Sequence, residues 1–244
     1  MQSKNIIITG SNRGIGKALV EAFAMAGCNI WACARKATPE FETWLQSTAE
    51  EKNVWIKPVY FELTDVDAIN KGIQSIIDDG QSIDVLVNNA GISTVGLLSM
   101  SKVEEIEKLF QVNYFAMLRI IQKVSKRMAR QRKGVIINMG SIAGIEPQPG
   151  KIAYGSSKAA VMMMTKCLAK ELGPMGIRVN AIAPGPIETE MIHQYNDEML
   201  TKLASESAMR RLGKKEEIAQ VAVFFASEQA SYINGEIIKV DGGR

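Results

Sequence analysis

The sequence predicts an α/β fold in which helices cover both faces of a parallel sheet of about seven strands. Short apolar, β-branched segments alternate along the chain with longer segments of helical periodicity, and this alternation is typical of right-handed β-α-β crossovers. Four of the short segments, IIIT, VLVN, VIINM and VNAIA, are almost continuously apolar, as expected for strands buried on both faces. The 244 residues contain no linker, repeat or low-complexity tract, so we expect a single doubly wound domain over residues 1–244.

The predicted elements follow one another in a regular order. The strands lie at residues 6–9, 29–34, 54–62, 85–88, 135–139, 178–183 and 236–240, and helical periodicity is clearest at 15–26, 103–130 and 153–172. The segment 184–212 interrupts this alternation, because it opens with Pro184, Gly185 and Pro186 and continues with short helical patterns but no predicted strand. We expect a short helical substrate lid there, with an ordinary surface loop as the alternative.

The composition excludes several classes of function. With 29 Lys and Arg against 26 Asp and Glu, the net charge is +3, which argues against a dedicated nucleic-acid-binding protein. The only histidine, His193, excludes zinc sites built from several histidines, and we predict no metal site. Cys28, Cys33 and Cys167 lie in apolar segments, so we expect buried thiols and no disulfide framework. No apolar stretch reaches the ~20 residues of a membrane span and no signal-peptide pattern opens the chain, so we expect a cytoplasmic protein.

A glycine-rich turn follows the first predicted strand, in the run TGSNRGIG at residues 9–16. Its three glycines allow backbone N–H groups to approach a pyrophosphate, whose charge the positive start of the next helix favours. The spacing Gly-x-x-x-Gly-x-Gly differs from the more familiar Gly-x-Gly-x-x-Gly, and a purely structural turn is the alternative. The position after the first strand favours a Rossmann-type dinucleotide site. Its predicted residues are Gly10, Ser11, Asn12, Arg13, Gly14, Ile15 and Gly16.

The end of the second strand distinguishes between the two nicotinamide dinucleotides. NAD-binding folds usually carry an acidic residue there, which binds the ribose hydroxyls of the adenosine. Here the strand is followed by Arg35 and Lys36, and Arg13 lies within the glycine turn. Cationic side chains suit a 2′-phosphate, so we predict NADP(H), with solvated surface cations as the alternative.

A tyrosine, a lysine and a serine form a candidate catalytic group. Tyr154 precedes Lys158 by four residues at the start of a helix, so both side chains lie on one helical face. A tyrosine with the usual pKa of ~10 is a poor acid–base group at neutral pH, but a nearby ammonium lowers that pKa. Ser141 follows the strand at 135–139, and its hydroxyl is placed to hold a carbonyl oxygen at the cofactor crevice.

Together these motifs resemble the short-chain dehydrogenase/reductase family, over essentially the whole chain. The matching segments are the glycine turn, NNAG at 88–91, Asn113, Ser141, Tyr154 with Lys158, PGPIET at 184–189, YING at 232–235 and VDGG at 240–243. The resemblance implies a Rossmann fold and an NADP(H)-dependent oxidoreductase acting on CH–OH or C=O groups. It also implies a catalytic tetrad in which Tyr154 protonates the carbonyl oxygen, Ser141 orients it, Lys158 binds the nicotinamide ribose and lowers the tyrosine pKa, and Asn113 holds a relay water.

The resemblance implies further cofactor contacts. At the position that contacts adenine, where the family often has Asp, this chain has Glu62 followed by Leu63. The other implied contacts are Asn89, Ala90, Gly91, Pro184, Gly185, Ile187 and Thr189.

Two substrate classes stay open on the sequence. Residues 185–191 and 211–213 are most similar to those of the bacterial 3-oxoacyl-[acyl-carrier-protein] reductases, which implies reduction of a 3-oxoacyl thioester, a step of fatty acid biosynthesis, with acyl carrier protein as a possible partner. Glu146 and Gln148 favour instead a sugar, polyol or nucleotide-sugar, because burying an unpaired carboxylate against an acyl chain is costly. The predicted pocket comprises Ile142, Glu146, Gln148, Pro186, Met191 and His193, the last with an exposed lid residue as its alternative. A rival of another class is an NADP-binding regulatory or scaffold protein without turnover.

Interaction surfaces are suggested by two clusters. A basic group is placed to meet an acidic carrier protein at the active-site mouth, although cations also suit a helix C-terminus. Its members are Lys126, Arg127, Arg130, Arg132, Lys133, Lys166 and Lys170. The resemblance implies a homotetramer that pairs the helices at 103–130 and 153–172. Successive residues of a helix turn by ~100°, so Met162, Met163 and Met164 cannot all face the same side. Part of this run is expected either at the subunit interface or packed within the chain, against the sheet and the long helix.

Overall fold

The computed structural model describes residues 1, 3–190 and 196–244, and strands and helices alternate along them. The strands are β1 (Asn5–Thr9), β2 (Asn29–Ala34), β3 (Ile56–Tyr60), β4 (Val85–Asn88), β5 (Gly134–Met139), β6 (Ile177–Pro184), β7 (Ile187–Glu188), β8 (Gly213–Lys214) and β9 (Ile237–Val240). The α-helices are α1 (Gly14–Met25), α2 (Pro39–Lys52), α3 (Val66–Asp78), α4 (Val103–Phe110), α5 (Ala116–Gln131), α6 (Ile152–Leu172), α7 (Asp197–Ser205) and α8 (Lys215–Ala226).

Seven of the strands form one parallel sheet, in the order β3-β2-β1-β4-β5-β6-β9, which confirms the predicted fold class. The chain builds outward from β1 to β3, then crosses back and builds outward from β4 to β9. Strands β1, β4 and β5 are buried along their whole lengths, as their continuous apolar runs predicted. The reversal of direction between β1 and β4 opens a crevice at their carboxyl ends, where α/β folds bind ligands.

Two apolar layers enclose the sheet. On one face Phe23 of α1, Phe41 of α2 and Phe225 of α8 pack against the sheet. On the other face Ile73 of α3 and Val161 of α6 do so, together with apolar side chains of α5. Burying this apolar surface stabilises the folded state by about 25 cal/mol per Å². Because the side chains are closely packed, the sheet is a rigid support for the residues at its carboxyl edge.

The structure departs from the sequence prediction in three elements. The helix expected at 103–130 is interrupted by a π-helical turn, Gln111–Phe115, between α4 and α5. The strand expected at 54–62 is shorter, because its ends leave the pairing with β2. The segment 184–212 does contain a strand: β7 pairs in parallel with β8, and this two-residue pairing is too short to give a periodic pattern. The expected lid helix is present as α7.

The cysteine prediction is right for two residues and wrong for one. Cys28 and Cys33 are buried, but Cys167 is exposed. Cys167 lies one helical turn after Met163, which is 62% exposed, so both lie on the outer face of α6. Met162 and Met164 are buried, so the methionine run divides between the core and the outer face. In the part of the chain that the structure describes, no helix is both long and apolar enough to cross a membrane.

Candidate active site

The glycine turn lies at the crevice between β1 and β4. Gly10 and Gly14 have φ angles of +69° and +52°, a conformation that residues with a Cβ rarely adopt. A Cβ on Gly16 would collide with the carbonyl oxygen of Gly10, so only glycine allows the helix to start this close to the turn. At the N-cap of α1, Arg13 supplies no side-chain acceptor. The turn therefore presents a backbone cradle that fits a pyrophosphate at the positive end of a helix.

Hydrogen bonds join this turn to the end of β4. The Thr9 hydroxyl accepts from the backbone N–H groups of Asn89 and Ala90, each at 3.0 Å. The Asn89 side-chain amide donates to the carbonyl oxygens of Thr9 (3.0 Å) and Gly10 (3.2 Å). Ser11 supports the turn from inside, since its buried hydroxyl donates to the Ile8 carbonyl at 2.8 Å. The structure thus brings together the residues predicted from the two motifs.

The predicted 2′-phosphate ligands lie at the open end of this crevice. Arg13, Arg35 and Lys36 are exposed, and Arg35 follows the carboxyl end of β2, next to β1. The Arg35 Nε atom lies 4.0 Å from the Glu62 carboxylate, which also accepts from the Thr64 N–H at 3.2 Å. The three cations, with Glu62 beside one of them, fit a dianionic phosphate. Leu63, the other predicted adenine-side residue, lines a small cavity with Thr9 and Ala90.

Lys158 of the predicted tetrad is buried and has a lowered pKa. Its side chain is 3% exposed, and Nζ donates a 2.7 Å hydrogen bond to the Met139 carbonyl oxygen at the end of β5. Burial lowers the pKa of Lys158 to about 8, because the apolar surroundings oppose its charged form. The Nζ atom lies 5.8 Å from the centre of the Tyr154 ring, one helical turn earlier in α6. A desolvated ammonium beside a phenol favours the phenolate.

Asn113 lies in the π-helical turn and fixes three segments. Its Oδ1 atom accepts from the Ile92 N–H at 2.9 Å, and its Nδ2 atom donates to the Ile92 carbonyl at 2.9 Å and to the Ser157 hydroxyl at 3.1 Å. The side chain is fully buried. The π turn adds a residue to the helical register and directs Asn113 toward the loop after β4, a use of π turns that is common at functional sites.

Ser157 is a site residue that the sequence analysis missed. Its fully buried hydroxyl accepts from Asn113 and donates to the Tyr154 carbonyl oxygen at 2.8 Å. It thereby ties Asn113 to the turn of α6 that carries Tyr154 and Lys158. The only signal available was its place inside the Tyr-x-x-x-Lys motif.

Ser141 lies directly after β5 and begins a short 3₁₀ turn, Ile142–Gly144. Its Oγ atom accepts from the Ala143 N–H at 3.2 Å, which fixes the side-chain rotamer. A Cβ on Gly155 would lie 2.5 Å from the Ala143 carbonyl oxygen, so this glycine allows the turn to pack closely on α6. Ser141, Tyr154 and Lys158 therefore belong to two elements in direct contact, with Asn113 bonded to the second of them.

The first residues of the lid segment lie over the glycine turn. Ile187 is buried, and the Thr189 side chain and the Glu190 carboxylate lie beside Gly14. Gly185 donates its N–H to the Val240 carbonyl at 2.9 Å, so Pro184 and Gly185 join the lid to the last two strands. The predicted pocket residues Met191 and His193 lie outside the described residues.

The predicted pocket residue Glu146 is not an unpaired carboxylate. It lies 3.3 Å from the Arg244 guanidinium and 3.6 Å from the Lys239 ammonium. The argument for a polar substrate, which depended on an unsatisfied acid, therefore loses its support. Ile142 is buried, and Gln148 and Pro186 are half-buried.

The loop between β4 and α4 contributes an apolar wall that the sequence analysis also missed. Val95, Leu97, Leu98 and Met100 are each more than half exposed. The loop is held to the segment before α6 by a 2.9 Å hydrogen bond from the Gly96 N–H to the Gly150 carbonyl. An open cleft beside Ala153, the residue before Tyr154, has a mixed lining: the apolar Val95, Met100 and Ile106, and the polar Thr94, Ser101, Lys102 and Glu105. The signal in the sequence was a cluster of apolar residues in a glycine- and serine-containing loop.

The basic cluster lies elsewhere than predicted. Helices α5 and α6 both run from the carboxyl edge of the sheet to its amino edge, so Arg130, Arg132 and Lys133 lie at the edge opposite Tyr154. Lys170 is 16 residues, or about 24 Å, along α6 from Tyr154. The prediction that this cluster flanks the mouth of the site is therefore wrong within one chain.

Comparisons with known proteins agree with this geometry. A family model described as enoyl-(acyl carrier protein) reductase matches residues 10–244. The 3-oxoacyl-[acyl-carrier-protein] reductase FabG of Thermotoga maritima is 39% identical over 243 residues, covering 100% of this chain and 98% of that protein. The enzyme of the same name from Chlamydia trachomatis is 36% identical over 246 residues, with 99% and 97% coverage. The chain belongs to the short-chain dehydrogenase/reductase family.

Solved structures show the same fold. A putative gluconate dehydrogenase from Agrobacterium tumefaciens superposes with a TM-score of 0.92 at 28% identity, covering 99% of this chain and 95% of that one. A 3-oxoacyl-[acyl-carrier protein] reductase from Brucella melitensis with bound NAD gives a TM-score of 0.87 at 32% identity, with 99% and 91% coverage. As a short-chain dehydrogenase/reductase, the chain is a nicotinamide-dependent oxidoreductase acting on CH–OH or C=O groups. The alternative of a binding protein without turnover is set aside.

The bond between Ser157 and Asn113 predicts a kinetic effect. Ser157→Ala removes one partner of a buried amide, which raises the activation free energy by about 1 kcal/mol and lowers kcat roughly fivefold. The cofactor KM changes less than twofold, because the glycine cradle is untouched. Steady-state kinetics on any carbonyl that the enzyme reduces measure both. The control is Ser156→Ala, an exposed neighbour. Equal kcat values for the two variants would show that Ser157 has no positioning role.

The buried Lys158 predicts a dependence of stability on pH. Its folded-state pKa of about 8 lies below the unfolded value of 10.5, so between these pH values the unfolded state binds more protons. The free energy of unfolding of the wild type, relative to Lys158→Met, therefore rises by roughly 2 kcal/mol from pH 7 to pH 10. Urea unfolding at the two pH values measures this, and groups common to both proteins cancel. A difference that does not change with pH would contradict a lowered pKa.

Proposed function

We propose that this protein is an NADPH-dependent 3-oxoacyl thioester reductase. The observation that carries the proposal is the tetrad geometry: Tyr154 and Ser141 lie on two elements in contact, near a loop with exposed apolar side chains, among them Val95, Leu98 and Met100. Two relatives that match nearly the full chain are named 3-oxoacyl-[acyl-carrier-protein] reductases, which supports the same substrate class. The thioester is proposed to arrive on an acyl carrier protein, as the names of those relatives indicate for them.

Each residue of the site has a separate role in the proposed reaction. When bound, the nicotinamide cofactor supplies the hydride. The Tyr154 hydroxyl donates a proton to the developing alkoxide, and the Ser141 hydroxyl donates a hydrogen bond to the same oxygen. Lys158 stabilises the resulting phenolate through its ammonium charge, and Asn113 fixes the loop after β4 through Ile92. Positioned acid catalysis of this kind contributes about 10²- to 10⁴-fold.

The preference for NADPH rests on charge. Arg13, Arg35 and Lys36 are exposed at the end of the crevice where the adenosine would lie. Of the nearby acids, Glu62 is 42% exposed and lies beside Arg35, so it aligns this guanidinium without neutralising the group of three cations. A solved relative contains NAD, so NADH is the cofactor against which this preference is measured.

Substrate class is decided by a panel of carbonyls. We expect 3-oxoacyl thioesters to be reduced with a kcat/KM at least about 10²-fold above gluconate oxidation or enoyl thioester reduction. The 3-oxoacyl group is offered on acyl carrier protein and on a short thiol, with NADPH absorbance as the measurement. Tyr154→Phe is the control, and its kcat falls at least about 10²-fold while NADPH still binds. Turnover of gluconate or of the enoyl thioester alone would refute the proposal.

Cofactor preference is tested at the two arginines. Arg13→Ala and Arg35→Ala each remove a charge-assisted contact to the 2′-phosphate, so the KM for NADPH rises about tenfold. The KM for NADH stays within about twofold, because NADH lacks that phosphate. Lys71→Ala, which removes an exposed cation from α3, is the matched control. An unchanged KM for NADPH in both arginine variants, with NADH used equally well by the wild type, would overturn the preference.

A further inference from the structure

A cluster of charged side chains joins three segments that lie far apart in the sequence. Glu146 belongs to the loop after Ser141, Glu206 follows the lid helix α7, and Lys239 and Arg244 belong to the last part of the chain. The proposed function assigns these four residues no role.

Arg244 is the centre of this cluster. Its Nε atom lies 3.3 Å from Glu146 Oε2, and its Nη2 atom lies 2.8 Å from Glu206 Oε2. The Arg244 side chain is only 17% exposed, whereas each of the two carboxylates is about one-third exposed. A planar guanidinium can bind two carboxylates at once, with separate N–H groups, and this is how it holds the two segments together. Lys239 adds a second cation, 3.6 Å from Glu146 Oε1.

Hydrogen bonds and close packing hold the segment 242–244, which ends in Arg244, against the residues after α7. The Ser207 hydroxyl donates to the Gly242 carbonyl at 3.0 Å, and the Met209 N–H donates to the same oxygen at 3.2 Å. Gly242 has a φ of +69°, and a Cβ there would collide with the Ser207 hydroxyl. This close packing places the Arg244 guanidinium between the end of α7 and the loop that carries Glu146.

Two tight turns connect Ser141 to Glu146, so the positions of these two residues depend on each other. The Gly144 N–H donates to the Ser141 carbonyl at 3.0 Å, and the Glu146 N–H donates to the Ile142 carbonyl at 2.8 Å. Only four residues lie between Ser141 and Glu146, so fixing Glu146 limits the movement of the loop that begins at Ser141.

We propose that Arg244 is a positioning residue that fixes the end of the lid helix against the loop after Ser141 and so sets the substrate opening. The inference rests on the proposed function for the identity of the carbonyl substrate, but not for the contact itself. Substrate binding depends on Arg244. The chemical step, which the tetrad carries out, does not depend on Arg244. Because the two carboxylates are partly exposed, added salt weakens the contact.

The test compares Arg244→Met with the wild type. The KM for the 3-oxoacyl thioester rises about tenfold, kcat stays within about twofold and the KM for NADPH is unchanged. Salt between about 0.05 M and 0.5 M raises the substrate KM of the wild type but not that of the variant. Arg244→Lys, which keeps the charge but not the fork, gives an intermediate KM. Lys57→Met, which removes a comparable ion pair with Asp79 near the β3 edge of the sheet, is the matched control.

A double-mutant cycle separates this role from general destabilisation. Glu206→Gln breaks only the lid side of the contact, and its effect on substrate KM does not multiply with that of Arg244→Met. Multiplying effects, or a KM for Arg244→Met within twofold of the wild type, would overturn the proposal.

Hydrogen exchange gives a readout that does not need turnover. Residues 142–150 and 197–209 exchange faster in Arg244→Met and Glu206→Gln than in the wild type or Lys57→Met, while α1 is unchanged. If the wild type reduced no 3-oxoacyl thioester, the proposed function would fail while faster exchange still supported the contact. Unchanged exchange in both segments would refute the contact whatever the substrate.

Discussion

The site depends on the side-by-side placement of β1 and β4. Because the chain reverses its direction across the sheet at this point, the two strands end together at an open crevice. The Thr9 hydroxyl and the Asn89 side chain fasten the two following turns to each other. The loop after β4 then continues to Ile92, whose backbone holds Asn113. Through Ser157, Asn113 is bonded in turn to the segment of Tyr154, so the glycine turn and this part of α6 are joined by one series of hydrogen bonds.

Within this part of α6 a lysine ammonium has been removed from water. Burial opposes its charge, and the Met139 carbonyl oxygen supplies a strong acceptor. An exposed lysine would be well hydrated, and its effect on a neighbouring phenol would be screened by the solvent. In the buried site the same charge acts at a lower effective dielectric constant, so a phenolate on Tyr154 is stabilised more strongly. Burial of Lys158 is thus the physical basis of the acid–base role proposed for Tyr154.

The sequence predicted those features for which the residue type determines the structure. Continuous apolar runs identified the strands, and fixed spacings identified the glycine turn and the pair Tyr154 and Lys158. The π turn around Asn113 was not predicted, because one added residue hardly changes the periodicity of a long helix. Ser157 was missed because serine has no preference that marks a buried bridging role. The two-residue pairing of β7 with β8 is too short for a pattern, and the exposure of Cys167 depends on which face of α6 packs inward.

Glu146 shows why a charged residue near a pocket cannot be interpreted from its neighbours in the sequence. The partner that neutralises it, Arg244, lies 98 residues away along the chain. With the Glu146 carboxylate paired to Arg244 and Lys239, the loop after β4 still offers exposed apolar side chains, such as Val95 and Met100, to a substrate. An acyl chain gains about 25 cal/mol per Å² by covering such surface, whereas sugar hydroxyls would lose hydrogen bonds to water without replacement. The pairing of Glu146 therefore removes the argument for a polar substrate and supports the proposed substrate class.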